Sequence, residues 1–313
     1  MDFFTTLINV ALLIALAVPG YILRKCGKLP DNSAKVLTVL LLYACQPFLT
    51  ISSFIKKEFE TALLVNMGVC AALSLVVVLA VFLVSKLCFA FSKDSAAKKV
   101  AMTAGYMNNC SFMGLPLIMA LFPGNGEPII YCAVFILVFN ILAWTLSVYT
   151  MTGDKRFMNA KKAFLNPPTL ALAVALPIFF AKLVLPVPLV GTIDFLGNMT
   201  PPLSMLIMGV RLADIKLSAL FRSGCVYLSS FVKLVVSPLF TFALLMLLRT
   251  FIPISDMLFL TLYIIMAMPT AATVILLSQM YDADADTATK CVLLSSVFCV
   301  FTIPVMMLTS VFI

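Results

Sequence analysis

The sequence predicts an all-α integral membrane protein with ten transmembrane helices, arranged as two inverted repeats of five helices. Three observations lead to this prediction. The 313 residues are 63% hydrophobic and only 11% charged, whereas soluble domains have about 25% charged residues. Apolar runs of about 20 residues, the length that crosses a bilayer, recur along the whole chain. The two halves also align weakly with each other.

Ten apolar segments follow one another, separated by short connections that contain turn-forming residues. The first basic residues, Arg24 and Lys25, come after the first segment, so we expect a permanent span there and not a cleaved signal peptide. The third and eighth segments are long enough to tilt or to project from the bilayer. The predicted spans are 4–22, 33–54, 62–90, 98–121, 126–152, 166–185, 190–212, 219–249, 256–280 and 286–313.

The basic residues predict how the chain is oriented. With the N-terminus outside, sixteen of the 21 lysines and arginines lie in or beside cytoplasmic loops, four lie outside, and Lys233 lies within a span. This bias agrees with the positive-inside rule. The net charge of +8 is therefore a sign of topology, and nucleic acid is excluded as a partner. We expect a multi-pass protein of the plasma membrane, in contact with the lipid bilayer, with both termini outside.

Several chemistries have no residues to support them. The sequence has no histidine and its nine cysteines form no CxxC pair, so zinc and histidine acid–base catalysis are not expected. A phosphate loop of the form GxxxxGKS/T is absent, which disfavours an ATP-driven pump. A membrane-embedded enzyme is disfavoured too, because GxSxG and an in-membrane pair of carboxylates are missing. We predict no cofactor and no metal, and interpret the cysteines as packing residues.

The internal similarity predicts the domain organisation. At an offset of about 159 residues, Cys132 aligns with Cys291 and Phe139 with Phe298. Five predicted spans lie in each half, and an odd number gives the halves opposite orientations, as in many secondary transporters. The predicted units are an N-terminal repeat at 1–152, a cytoplasmic linker at 153–165 and a C-terminal repeat at 166–313.

Helix-breaking residues interrupt the fourth and ninth spans. Residues 105–116 read GYMNNCSFMGLP and residues 266–281 read MAMPTAATVILLSQMY, and the offset superimposes the two breaks. Unsatisfied backbone groups are costly in hydrocarbon, so broken helices need cover from protein or from a water-filled cavity. We predict that the two helices cross and that the positive ends of their half-helices face an anionic group. Proline kinks repaired by serine and threonine, without a ligand, are the alternative.

Four stretches together resemble the auxin efflux carrier family: NNCSFMGLPL, CQPFL, PPLSMLIMGVRLA and MAMPTAATVILLSQMY. That family includes bacterial organic-acid carriers and the plant PIN-FORMED auxin exporters, and is related to the bile acid–sodium symporters. The resemblance implies a scaffold domain and a transport domain that move against each other, with the site where the fourth and ninth helices cross. It also implies an organic anion as substrate, either a dicarboxylate or an aromatic carboxylate.

The resemblance also implies which residues form the site, at the positions where this sequence matches the family's motifs. Asn108, Asn109 and Pro116 fall in one crossing helix and Pro269 in the other, and Gln46 and Pro47 line the site from the second helix. The sodium-coupled relatives use an acidic residue in the ninth span as a sodium ligand, and MAMPTAATVILLSQ has none. This departure disfavours sodium coupling, although Ser111, the asparagines and backbone carbonyls still offer oxygen ligands.

Lys233 is the most unusual single residue. Along the helix it lies roughly 17 Å from Arg222 and roughly 24 Å from Arg249, and an ionisable group at such depth is a functional candidate. It is either a counter-charge for a carboxylate, a group that exchanges a proton, or a lysine satisfied by carbonyls between helices. Asn140, near the middle of the fifth span, either binds substrate or joins helices.

The predicted function is secondary active transport of a small organic anion by alternating access, either coupled to protons or to the membrane potential or as a uniporter. A passive anion channel on the same scaffold and a sodium-coupled symporter are the alternatives, and a homodimer is left open. We expect the backbone amides near Asn109, Gly114 and Pro269 to hold the anion. The predicted substrate-binding residues are Asn108, Asn109, Ser111, Gly114, Pro116, Gln46, Pro47, Pro269, Thr270, Thr273, Asn140 and Lys233.

Overall fold

The computed structural model describes residues 8, 11–12, 15–57, 60–93, 95–159, 161, 165, 167–214 and 223–309. Within these ranges the chain is almost entirely helical, with one isolated backbone bridge and no strand. The start of the first predicted span, much of the linker, the beginning of the eighth span and the end of the last lie outside the described residues. So do Lys162, Lys216 and Arg222, three of the basic residues assigned to the cytoplasmic side.

Every predicted span contains helix among its described residues. Five helices (α2, α3, α5, α8 and α10 below) are long and apolar enough to cross a membrane, and α4b, α6 and α9a are shorter apolar helices. Such helices are those of a multi-pass membrane protein. The helices are α1 Ala17–Lys25, α2 Ser33–Ile55, α3 Thr61–Cys88, α4a Ala96–Tyr106, α4b Cys110–Leu121, α5 Glu127–Thr152, α6 Pro167–Phe180, α7a Val187–Asn198, α7b Thr200–Ala213, α8 Gly224–Arg249, α9a Asp256–Met266, α9b Thr273–Met280 and α10 Ala285–Met307.

The seventh predicted span, 190–212, consists of two helices in the structure. The structure divides it at Met199 into α7a and α7b. Pro201 and Pro202 lie just beyond this point and neither has an N–H group to donate to a carbonyl one turn earlier. The first helix therefore ends before the proline pair, and the second begins at Thr200.

Three helices contain a wider, π-helical turn just before a proline. Proline lacks a donor and its ring crowds the carbonyl one turn earlier, and a wider turn accommodates both effects. Turns of this kind are frequent at functional sites. A fourth π turn, Ala143–Ser147 in α5, precedes no proline. The three turns with their prolines are Leu41–Cys45 before Pro47, Cys110–Gly114 before Pro116 and Val232–Val236 before Pro238.

The helices pack as two bundles, each built from both halves of the chain. The small bundle consists of α1, α2, α6, α7a and α7b, and the large bundle consists of α3, α4a, α4b, α5, α8, α9a, α9b and α10. The bundles meet where α5 contacts α2 and α6, and where α4b contacts α7b. Most buried apolar side chains form one continuous cluster, which fills the large bundle and extends to Phe54 of α2, Phe179 of α6 and Met205 of α7b.

Glycine allows the closest helix contact in the small bundle. A Cβ atom at Gly209 of α7b would lie 1.8 Å from the carbonyl oxygen of Ala17, and one at Gly20 of α1 would lie 2.3 Å from that of Leu206. The backbones of α1 and α7b therefore touch directly, as helices in membranes do at small residues. This contact positions α7b, which forms one wall of the site described below.

Candidate functional site

The site is organised around two interrupted helices. The fourth helix stops at Tyr106 and resumes at Cys110, and the ninth stops at Met266 and resumes at Thr273. The second break contains Pro269, which removes a donor from the helical ladder, whereas the first contains no proline and Pro116 lies beyond it in α4b. Each break therefore places two helix ends close together, one carrying unbonded carbonyls and the other unbonded N–H groups.

The two breaks bond to each other. The N–H of Asn109 donates to the carbonyl oxygen of Pro269 at 2.8 Å, and the N–H of Ala271 donates to that of Met107 at 3.0 Å. Between these bonds, Asn108 and Thr270 form an antiparallel bridge. The segments 107–109 and 267–272, here called the crossing, thus satisfy backbone groups that a single broken helix would leave unpaired.

Thr270 ties the crossing to its surroundings. Its hydroxyl donates to the carbonyl oxygen of Ala104 at 2.9 Å, and its N–H donates to the hydroxyl of Ser295 on α10 at 3.1 Å. Ala104 lies in the last turn of α4a, where carbonyls lack a helical donor. Thr270 is fully buried, so in this conformation it serves as an internal cap.

Lys233 and Asn108 form a second network at the crossing. The ammonium group of Lys233 donates to the side-chain oxygen of Asn108 and, at 3.0 Å, to the carbonyl oxygen of Met266. The amide nitrogen of Asn108 donates to the carbonyl oxygen of Tyr106 at 3.3 Å and to the sulfur of Met266 at 3.0 Å. Both side chains are fully buried. The network therefore links the carboxyl-terminal ends of α4a and α9a by hydrogen bonds, and both ends carry partial negative charge.

The amino-terminal ends of α4b and α9b border a narrow cleft between the two bundles. Asn109 and Phe112 contribute one wall and Ala272 the adjacent one, while Ser204 and Arg211 on α7b face them and Ser296 on α10 completes the lining. The cleft has a volume of about 30 Å³, which holds roughly one water molecule. In this conformation it is nearly closed.

Arg211 supplies the charge of the cleft. Its guanidinium donates to the hydroxyl of Thr38 at 3.2 Å and lies 6.0 Å from the ring centre of Phe112. None of the ion pairs among the described residues involves Arg211. It is therefore a half-buried cation without a carboxylate partner in the described part of the chain, and it faces the positive ends of two helices.

Sequence reasoning assigned Arg211 only to the cytoplasmic charge bias and did not include it in the site. A usable signal existed, because Arg211 lies inside the predicted seventh span, before its last residue, and not in the loop that follows. In the structure it occupies the last turn of α7b. An arginine within an apolar helical stretch of a membrane protein is a functional candidate by default.

Among the residues predicted for the site, Asn109 alone lines the cleft. Asn108, Pro269 and Thr270 lie in the crossing, and Lys233 donates a hydrogen bond to it. The others lie around the crossing on their helices without lining the cleft, namely Ser111, Gly114 and Pro116 on α4b and Thr273 at the start of α9b. The structure thus brings the two breaks together and separates an internal network from the surface that faces the cleft.

Some of the backbone N–H groups that were expected to hold an anion already donate hydrogen bonds within the protein. The N–H of Asn109 is bonded to Pro269, and the N–H groups of Met113 and Gly114 donate to the carbonyl oxygen of Asn109 at 3.3 and 3.0 Å. These three groups hold the break together in the present conformation. The groups left to interact with a ligand here are side chains and the partial charge of the helix ends.

Gln46 and Asn140 lie apart from the cleft, with Pro47 next to Gln46 on α2. Gln46 is buried and neither polar atom of its side chain has a hydrogen-bond partner, and the amide nitrogen of buried Asn140 is also unpaired. Unpaired buried amides are uncommon and call for an explanation. These two amides are therefore candidates for contact with water or with a ligand in another conformation.

A larger cavity of about 370 Å³ opens at the far end of α2 and α6, away from the crossing. Lysines line it, but Lys56 pairs with Asp194 at 2.7 Å and Lys57 with Glu127 at 3.7 Å. Asp194 also accepts a hydrogen bond of 2.6 Å from Ser52, so it joins α2 to α7a. With Lys56 and Lys57 paired to carboxylates, the cleft beside Arg211 is the stronger candidate site.

Comparisons with known proteins agree along nearly the whole chain. A family described as "Membrane transport protein" matches residues 4–157 and 153–307. An uncharacterized transporter of Methanocaldococcus jannaschii is 24% identical over 300 residues, which cover 92% of this chain and 94% of that protein. The matches reach both broken helices and every helix of the two bundles.

Proposed function

Because the chain belongs to the membrane transport protein family, as its resemblance to the auxin efflux carriers predicts, we propose that it carries a small organic anion across the plasma membrane by alternating access. It is a transporter and not an enzyme. The observation that carries the proposal is the position of Arg211, a half-buried cation without a carboxylate partner among the described residues, in a cleft beside two helix amino termini.

The chemistry of the cleft favours a carboxylate. Guanidinium groups bind carboxylates through two parallel hydrogen bonds, and the amino-terminal ends of α4b and α9b add partial positive charge. The amide of Asn109 is a further hydrogen-bonding group, whereas the hydroxyls of Ser204 and Ser296 donate to the carbonyl oxygens of Pro201 and Val292 in this conformation. Phe112 offers an apolar surface for the body of an organic acid. A small dicarboxylate or an aromatic carboxylate fits this combination.

Transport requires the two bundles to move against each other. The cleft lies between them and holds about 30 Å³, far below the roughly 300 Å³ or more of sites for small molecules. We therefore assign the conformation to a closed state. In the proposed mechanism the small bundle is the scaffold and the large bundle, which contains the crossing, carries the anion from one side to the other.

The proposed architecture has ten spans in two inverted repeats, 1–152 and 166–313, with both termini outside. The matched breaks at α4 and α9 support it, because each lies in the fourth span of its repeat. The unpaired amides of Gln46 and Asn140 support a path along α2 and α5. In this proposal they bond to the anion or to water when the bundles separate.

Reconstituted protein tests the proposal. A thermal-shift screen of organic acids first identifies a ligand, because ligands that bind the folded state raise its apparent stability. Proteoliposomes loaded with that acid should then show saturable uptake and counterflow. Unsaturable flux with single-channel currents would instead establish a passive channel, and absence of stabilisation by any carboxylate would contradict the assignment of an anion.

A further inference from the structure

Lys233 of α8 is a lysine in the interior of the protein. It does not line the cleft, and its side chain is fully buried. It lies in the π turn Val232–Val236 of α8, a wide turn that precedes Pro238. No ion pair among the described residues includes it. A charged side chain with neither solvent nor a carboxylate must be stabilised by the dipoles around it.

The dipoles that contact Lys233 are those that ordinarily bind a metal cation. Its ammonium donates to the side-chain oxygen of Asn108 and to the carbonyl oxygen of Met266, the last residue of α9a. Amide and carbonyl oxygens are hard ligands for small cations. In secondary transporters, unwound carbonyls and carboxyl-terminal half-helix ends are the groups that coordinate coupling ions.

The same network reaches the second broken helix. Asn108 accepts from Lys233 and donates to the carbonyl oxygen of Tyr106, the last residue of α4a. The ammonium group thus bonds directly to the negative end of α9a and, through Asn108, to that of α4a, while the positive ends of α4b and α9b border the cleft. The Lys233 cation thus lies at the negative ends of the interrupted helices, and the cleft proposed for the anion lies at their positive ends.

We propose that the Lys233 ammonium is a built-in cation of the crossing, covalently attached at the position that a coupling metal ion would otherwise occupy. The site for a small monovalent cation is therefore already filled, and anion transport does not require sodium. This inference deepens the proposed function and rests on it only for the statement about transport. The occupation of the cation site by the Lys233 ammonium concerns the folded protein and does not depend on which substrate is transported.

Substitution of Lys233 provides the test. Lys233→Ala should vacate a cavity lined by the oxygens of Asn108 and Met266, and Lys233→Met should fill the same space with an apolar chain. We expect the alanine variant to be less stable than the wild type and to regain thermal stability in methylammonium or sodium chloride. Large N-methylglucamine at equal ionic strength should not restore it, and the methionine variant should respond equally to all three salts.

The unmodified protein gives the second half of the test. When sodium is replaced by N-methylglucamine, its melting temperature should not change, and its rate of anion uptake should stay within about twofold. Wild-type uptake that requires sodium, or an alanine variant that responds equally to all cations, would overturn the proposal. If the alanine variant does not fold in any salt, the wild-type comparison decides alone. The cation-dependent stability is measured without substrate, so failure of anion transport would be recognised separately.

Discussion

Asn108 and Thr270 pair as an antiparallel backbone bridge, although each lies between two helices and not in a strand. The flanking bonds run from Asn109 to Pro269 and from Ala271 to Met107. A break in one helix alone would leave these groups unpaired, which is costly in hydrocarbon. Each break supplies the partners of the other, so the two interrupted helices form one structural unit at the centre of the transporter.

This unit depends on the hydroxyl of Thr270. We expect Thr270→Val to lower the free energy of unfolding by about 1–3 kcal/mol, because the buried carbonyl of Ala104 then loses its donor. Thermal or denaturant unfolding in detergent measures the change. Thr270→Ser keeps the hydroxyl and should remain close to the wild type. Equal stability of the valine and serine variants would show that the hydrogen bond contributes nothing.

Arg211 should determine anion affinity. We expect Arg211→Gln to raise KM for the transported acid by about tenfold or more, since a hydrogen bond to a charged group contributes about 1.5–3 kcal/mol. Arg211→Lys keeps the positive charge but loses the planar guanidinium group, so its KM should lie between those of the wild type and of Arg211→Gln. Uptake into proteoliposomes measures KM.

A charge-matched control separates this local effect from a change in net charge. Arg249→Gln also removes one positive charge, but Arg249 pairs with Asp256 at the end of α8, far along the helix from the crossing. Its KM should stay within about twofold of the wild type, because exposed ion pairs contribute little. A similar loss of affinity in both variants would remove Arg211 from the binding site.

Asn109 presents its side chain to the cleft while its backbone holds the crossing. The bond to Pro269 uses the backbone N–H, so Asn109→Ala should leave folding intact. We expect a several-fold weaker affinity, in keeping with the loss of one hydrogen bond of about 0.5–1.5 kcal/mol. Ligand-induced thermal shifts and uptake kinetics measure it. Unchanged affinity in a folded variant would exclude a contact between Asn109 and substrate.

The contact between α1 and α7b should tolerate no side chain at Gly209. We expect Gly209→Ala to destabilise the protein by more than about 1–3 kcal/mol, because the added methyl group would lie 1.8 Å from the carbonyl oxygen of Ala17. Gly191→Ala on α7a is the matched control, since a Cβ atom there meets nothing within 4 Å. Expression in the membrane and melting temperature in detergent compare them. Equal behaviour of the two variants would contradict the close packing.

Properties that depend on the residues themselves and their near neighbours were predictable from the sequence. Apolar composition and helical length identified the membrane helices, and the prolines with GYMNNCSFMGLP located the breaks at Tyr106 and Met266. The proline pair at Pro201 and Pro202 likewise marks the division of α7. The cause is an apolar run for the membrane helices and a missing proline N–H at Pro269 and at the Pro201–Pro202 pair, and each acts within one or two turns.

Contacts between distant segments emerged only when the helices packed. The partners of Lys233 come from α4 and α9, so its burial against Asn108 and the carbonyl of Met266 is invisible along α8. Arg211 reads as one more basic residue near a helix end until α7b packs against α4b and closes a cleft around it. The physical reason is that helical periodicity and breaks are local, whereas the direction in which a charge faces depends on the packing of separate helices.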